Sequence, residues 1–157
     1  MLGSSELRAG FSSNESNSPM YTCENIVSRF RDRKRSANVV LCGADCYADA
    51  QSRGNIKSPF DGNVVCGFDT MEYMLDNTFS KLGIDTDRVD HPLLLTEPLC
   101  NPEYNRAQMN ELLFEAYQVQ SVNYGLDALF SAYANNVRDN GLVVSAGRTT
   151  TAIVPLV

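Results

Sequence analysis

At 157 residues, 43% hydrophobic and 20% charged, the chain has the size and composition of one globular domain with a real core. That composition excludes a collagen, a coiled coil or wholesale disorder, and a net charge of −6 speaks against a general nucleic-acid-binding surface. No apolar run reaches the roughly 18 residues that would span a bilayer, and the start MLGSSELRAGF lacks the apolar stretch of a secretory signal, so an intracellular protein is expected.

Residues 12–20, SSNESNSPM, read as a polar, turn-rich linker. Next comes a segment that departs from the average. Arg29, Arg31, Arg33, Lys34 and Arg35 are five of the 13 basic residues; with Asp32 alone among them the segment carries +4 and the rest of the chain −10. Such a patch suits nucleic-acid phosphate or an acidic partner, or it is simply a solvated, exposed loop. Cys23, Cys42, Cys46, Cys66 and Cys100 are odd in number and widely spaced, as reduced thiols are. Cys42 and Cys46 could open a metal site, but no second pair follows and His91 lies far away, so no metal is expected.

From residue 60 the pattern tightens. Asp69 and Glu72 have the spacing of a capping box, Tyr73, Met74, Leu75, Phe79 and Leu82 recur near helical spacing, and Gly83 can end the helix, which predicts a helix over 70–82. Leu93, Leu94 and Leu95 form a short, fully apolar run suited to a buried parallel strand. Asn101 can cap a second helix with Pro102 at its first position; Met109, Leu112, Leu113, Ala116 and Tyr117 then share a face through about residue 118. A third helix is suggested by Leu126, Leu129, Phe130 and Tyr133, read as core. Leu142–Val144 and Thr149–Val157 read as strands around a tight turn, Ser145, Ala146, Gly147 and Arg148. This order indicates an α/β fold. The hairpin closes without a helix to cover it, so a fragment of a larger fold is expected.

The segment HPLLLTEPLCNPEYNRAQMNELLFEAYQV, His91 to Val119, resembles the actin superfamily: His-Pro before an apolar strand, then Thr96-Glu97, Asn101-Pro102, Asn105-Arg106 and Met109. SPFDGNV, Leu99-Cys100-Asn101-Pro102 and YGLDALFSAYANN are most similar to the fifth actin-related subfamily, whose members are subunits of the INO-type nuclear chromatin remodeller. The resemblance implies a partial actin-like (ribonuclease-H-like) ATPase fold. Residues 12–55 would be a shortened, poorly ordered second subdomain with loops, and 56–157 the core of the first. The helices at 70–82 and 102–118 would pack on one sheet containing 92–95 and 141–157.

It also implies a site. The family clamps ATP phosphates between two glycine-containing hairpins, holds the metal with acidic side chains and positions water with a glutamine. The corresponding residues here are Gly3, Ser4 and Ser5 in the first hairpin and Ser145, Gly147 and Arg148 in the second, with Asp127 at the glutamine position. Met1 and Ser145 stand where the family has carboxylates. The implied function is a non-catalytic subunit of a nuclear remodelling complex, working through contacts with the motor, other subunits and the nucleosome; ATP is the nucleotide of the full-length fold. The alternative is an actin-like ATPase or a cytoskeletal actin-related protein.

Overall fold

A computed structural model of the chain describes residues 1–14, 18–33, 36–86, 88–137 and 140–157. β1 (Glu6–Ala9) pairs antiparallel with β2 (Tyr21–Glu24). β3 (Val27–Asp32) then pairs on one side with β4 (Ala37–Cys42) and on the other with β5 (Ile56–Lys57), with a 3₁₀ turn at Gly43–Tyr47 and the short helix α1 (Ala50–Arg53) between them. The region expected to be poorly ordered, 12–55, thus contains β2, β3 and β4, and β3 and β4 form a three-stranded sheet with β5 just beyond it. The segment expected as a loop at 29–35 is largely strand: Arg29 and Arg31 lie in β3 and Arg33 in the turn after it, while Lys34 and Arg35 fall outside the described residues. Period-2 alternation explains this, since Arg29 and Arg31 face outward on one side of the strand and Phe30 lies on the other.

A small hairpin, β6 (Phe60–Asp61) with β7 (Val64–Val65), leads into α2 (Phe68–Lys81). Met71, Met74, Leu75, Thr78 and Phe79 are its buried residues, at the i, i+3, i+4, i+7, i+8 spacing that turns one stripe to a core. The helix ends as predicted. Gly83 takes φ +80°, its N–H donates to the Ser80 carbonyl at 3.0 Å, and the Ile84 N–H donates to the Phe79 carbonyl at 2.9 Å. It does not begin as predicted. The Gly67 carbonyl accepts from Thr70 and Met71, so Gly67 is the cap and Asp69 lies inside the first turn, favoured by the helix dipole rather than by a capping box. The box forms instead at α1, where the Ser52 N–H donates to Asp49 at 2.7 Å and the Asp49 N–H to the Ser52 hydroxyl at 3.2 Å.

β8 (Leu93–Glu97) pairs in parallel with β9 (Val122–Leu126), a strand the sequence reading lacked. Only one face of this pair is covered: Leu95 is buried, but Leu94 is 62% exposed, against the expectation of a fully buried run. Between them lie α3 (Glu103–Glu111) and a π-helical turn, Leu112–Ala116. Asn101 does not cap α3. Its side-chain amide donates to the nearly buried Glu97 carboxylate, and Pro102 takes the cap position, its carbonyl accepting from Asn105 and Arg106.

α4 (Asp127–Ala134) follows β9 directly. Its core contacts are Ala128 and Ala132; Leu129, Phe130 and Tyr133, read from sequence as core, point outward. Gly125 makes room for one of them, because a Cβ there would stand 2.4 Å from the Phe130 ring. β10 (Gly141–Ala146) and β11 (Thr151–Leu156) close the described chain as a hairpin of their own. The single sheet expected to join 92–95 to 141–157 is instead two separate pairs, β8 with β9 and β10 with β11.

The core joins α2, the π turn and β8 through Met71, Met74, Leu75, Phe79, Leu95, Met109 and Leu113, with Tyr117 edge-on to Phe79 at 5.1 Å. The Tyr117 hydroxyl donates to the Asp76 carboxylate at 2.7 Å. Burial, then Asp76, pushes this phenol far above its ordinary 10.0. Burial likewise pushes Tyr124 up to about 12 and the Cys42 thiol from 9.0 up to about 12. The folded state therefore keeps protons that the unfolded chain has already released. The stability these groups supply is whole below about pH 9 and falls as pH rises from there towards 12. Thermal melts across that range should show the decline, and Tyr117→Phe should make it shallower.

Candidate functional site

β8 and β9 run parallel, so Glu97 and Leu126 end together at one side of the pair. Ligands of parallel α/β sheets sit beyond such carboxyl ends. A cleft of about 320 Å³ lies there. All seven residues expected from sequence, Gly3, Ser4, Ser5, Asp127, Ser145, Gly147 and Arg148, line it, and so does Met1.

Two tight turns form opposing walls. In the first, the Gly3 N–H donates to the Glu6 carbonyl at 3.0 Å, an approach that a Cβ, 3.2 Å from that oxygen, would crowd. In the second, the Gly147 N–H donates to the Thr150 carbonyl at 2.9 Å, and a Cβ would come within 3.1 Å. Both glycine amides are thus spent inside their own turns. The groups beside them that line the cleft and can meet an anion are Ser4 and Ser5 on one side and Arg148 on the other.

The turns are tied together by Thr149, which the sequence reading placed at the start of the last strand and not among the site residues. The Thr149 hydroxyl donates to the Gly62 carbonyl at 2.8 Å. Its single proton is then committed, so at the 3.0 Å contact between Ser4 Oγ and Thr149 Oγ1 it is Ser4 that donates. Behind the first turn, Asn25 is 1% exposed; its backbone N–H donates to the Ser5 carbonyl at 2.9 Å and its side-chain amide donates to the Gly3 carbonyl. Its Oδ1 is buried without a hydrogen-bond partner among the described residues. No sequence signal marked Asn25, since a lone asparagine between strands reads as turn chemistry. Asn25→Ala should cost about 1–3 kcal/mol by stranding the Gly3 carbonyl, read as a shifted urea midpoint.

Three carboxylates line the cleft, and each is engaged. Glu6 pairs with Arg8 at 2.9 Å. Glu97 is gripped by both Nε and Nη2 of Arg106, with Asn101 donating at 3.1 Å. This pairing holds the Arg106 guanidinium above its ordinary range, and that group also lies 5.7 Å over the Tyr124 ring. Asp127 Oδ1 accepts the Ala128 N–H at 2.7 Å, satisfying the first turn of α4 and leaving a negative charge at the helix end that would otherwise welcome a phosphate. Arg148 is exposed at the rim. Among the basic residues of the 29–35 segment, Arg29, Arg31 and Arg33 are exposed and outside this cleft; Arg29 stacks 5.9 Å over the Tyr73 ring.

A family model described as Actin matches residues 2–157. The chain belongs to the actin family. It is 45% identical over 155 residues to actin-like protein arp5 of Schizosaccharomyces pombe, covering 98% of this chain and 21% of that protein. It is 40% identical over 159 residues to actin-related protein 5 of Saccharomyces cerevisiae (99% and 21%), and 36% identical over 161 residues to actin-related protein 5 of Homo sapiens (98% and 26%). The chain thus spans about a fifth to a quarter of these relatives. The partial actin-like fold expected from the His91–Val119 resemblance holds, and the fifth-subfamily likeness holds along nearly the whole chain.

Proposed function

We propose that this actin-family chain is part of a non-catalytic subunit of a nuclear chromatin-remodelling complex, acting through protein and nucleosome contacts. The observation that carries the reading is the 36–45% identity to actin-related protein 5 along at least 98% of the chain in the three relatives named. Within this reading, residues 12–55 are a reduced second subdomain and 56–157 the core of the first. The cleft chemistry supports a non-catalytic role. Magnesium needs carboxylate oxygens free to face it, whereas Glu97 has both oxygens bound by Arg106, Glu6 and Asp127 each have one oxygen bound within their own element, and Ser145 is neutral. A phosphate could still meet Ser4, Ser5 and Arg148, so weak nucleotide binding with little dependence on metal fits the residues present. The second reading, an ATP-hydrolysing actin-like protein, rests on all seven expected residues lining one cleft.

Affinity purification of the tagged full-length polypeptide from nuclear extract tests the main reading. Recovery of a remodeller motor with the protein is expected; recovery only with cytoplasmic filaments would sink it. Arg29 and Arg31 of β3, with Arg33 in the turn after it, supply the nucleosome contact in this proposal. Arg31→Ser with Arg33→Ser should reduce the salt slope of duplex-DNA binding by about 2. The same changes should leave stability within roughly 0.5 kcal/mol, as exposed substitutions do. An unchanged slope would make the strand a solvated face.

A further inference from the structure

Outside the cleft, α3 and the π turn present an outer side whose composition is unusual. Their inner side is held by Met109 and Leu113, both buried. The outer side carries two aromatics, Tyr104 at 71% exposure and Phe114 at 43%. Ten positions apart, they are separated by about 15 Å along the axis, with exposed Ala107 leaving the surface low between them. The π turn sets this arrangement. Its wide bonding, with the Tyr117 N–H reaching the Leu112 carbonyl at 3.4 Å, turns both Leu113 and Tyr117 inward and leaves Phe114 and Glu115 outside. Such turns carry a strained hydrogen-bonding pattern and recur at functional surfaces.

The charge of this side is one-signed. Glu103, Glu111 and Glu115 are exposed. Arg106, the one cation between Glu103 and Ala116, is spent on Glu97. Gln108 donates to Glu111 at 3.0 Å, which orders that carboxylate without neutralising it. Aromatic faces attract cations, and carboxylates around them add to the attraction. An apolar contact made by Phe114 and Ala107 inside a rim of acids is complementary to a helix with an apolar stripe flanked by lysine or arginine.

We infer that the outer side of α3 and the π turn is a docking surface for a basic amphipathic helix of a partner protein. Tyr104 receives a cation over its ring, Phe114 enters the apolar stripe, and Glu111 and Glu115 pair with flanking lysines or arginines. This surface is separate from the cleft and does not depend on whether nucleotide binds there.

The test uses two labelled helical peptides of about 18 residues, long enough to form helix, sharing one leucine stripe; one carries lysines elsewhere and the other glutamates. Fluorescence anisotropy with the purified chain should show micromolar binding of the lysine peptide and none of the glutamate peptide. Phe114→Ser should weaken binding several-fold, and Glu111→Lys with Glu115→Lys about tenfold or more. Asp61→Lys with Asp85→Lys changes net charge equally at exposed sites elsewhere and should leave affinity within about twofold. Far-UV circular dichroism confirms that each variant folds. Equal weakening by the Asp61/Asp85 pair would mean that net charge alone attracts the peptide, and would overturn the inference. Failure of the lysine peptide to bind, or indifference to Phe114→Ser, would do so as well.

Discussion

Replacing Leu113 with alanine is expected to destabilise the fold by about 3–5 kcal/mol, among the largest losses any single truncation here should give. Leu113 is fully buried, at 0% exposure, in the cluster that joins α2 to β8. The π turn ties it to the Val119 N–H, which donates to the Leu113 carbonyl at 3.1 Å, so neighbouring backbone is poorly placed to collapse into the space left. Against a total stability of about 5–15 kcal/mol, such a loss would unfold a large part of the population on modest warming. The adjacent Phe114→Ala, at a 43%-exposed position, should cost far less. Urea titration of the two variants gives the comparison. Equal losses would mean that Leu113 and Phe114 do not divide between core and surface as described.

What was legible in the sequence was whatever short-range pattern decides. The stripe from Met71 to Phe79 fixes α2, and Gly83 at φ +80° marks its end, because both depend on neighbours within two turns. The start of that helix was less legible. Gly67 offers only its carbonyl, so no side chain advertised the cap, while Asp69 and Glu72 imitated a box two residues too late. Asn101 failed as a cap for a longer-range reason, since Glu97 on the preceding strand claims its amide. β9 was missed because Val122–Leu126 includes Asn123 and Gly125 and looks like a loop until it is paired with Leu93–Glu97. The α4 stripe misled in another way. Leu129, Phe130 and Tyr133 are apolar at helical spacing, yet all three stay exposed, with the Phe130 ring over Gly125, and Ala128 and Ala132 are the residues buried in the core.

The site divides along the same line. The resemblance located Gly3, Ser4, Ser5, Asp127, Ser145, Gly147 and Arg148, which meet around one cleft although they come from opposite ends of the chain. It could not reveal how those groups are occupied. The hydroxyl chain from Ser4 through Thr149 to Gly62 spans sequence separations of 145 and 87, beyond any local pattern. The partners of Glu6, Glu97 and Asp127 also became evident only from geometry, and they bear most directly on catalysis.

No phosphate release from ATP and magnesium above the buffer rate is therefore expected of this chain. Phosphoryl transfer depends on positioning and on charge stabilisation, with a metal bridging the phosphates and a group orienting water. Here Ser145 offers no charge, and Asp127 has one oxygen held by its own helix at 2.7 Å. A phosphate drawn in by Arg148 would share the cleft with that carboxylate, and like charges at a protein surface repel more strongly than in bulk water. Ser145→Asp should return a carboxylate facing the cleft and raise magnesium-dependent nucleotide affinity by about tenfold, equivalent to 1.4 kcal/mol. The affinity of the unaltered chain should be weak and nearly the same with or without magnesium. Asp127→Ala should leave the release rate at background while tightening phosphate binding, because it removes a repelling charge. Calorimetric titration of ATP analogues with and without magnesium, run beside the release assay, separates binding from chemistry. Turnover by the unaltered chain that vanishes in Asp127→Ala would make Asp127 a base acting on water and would reject the non-catalytic reading.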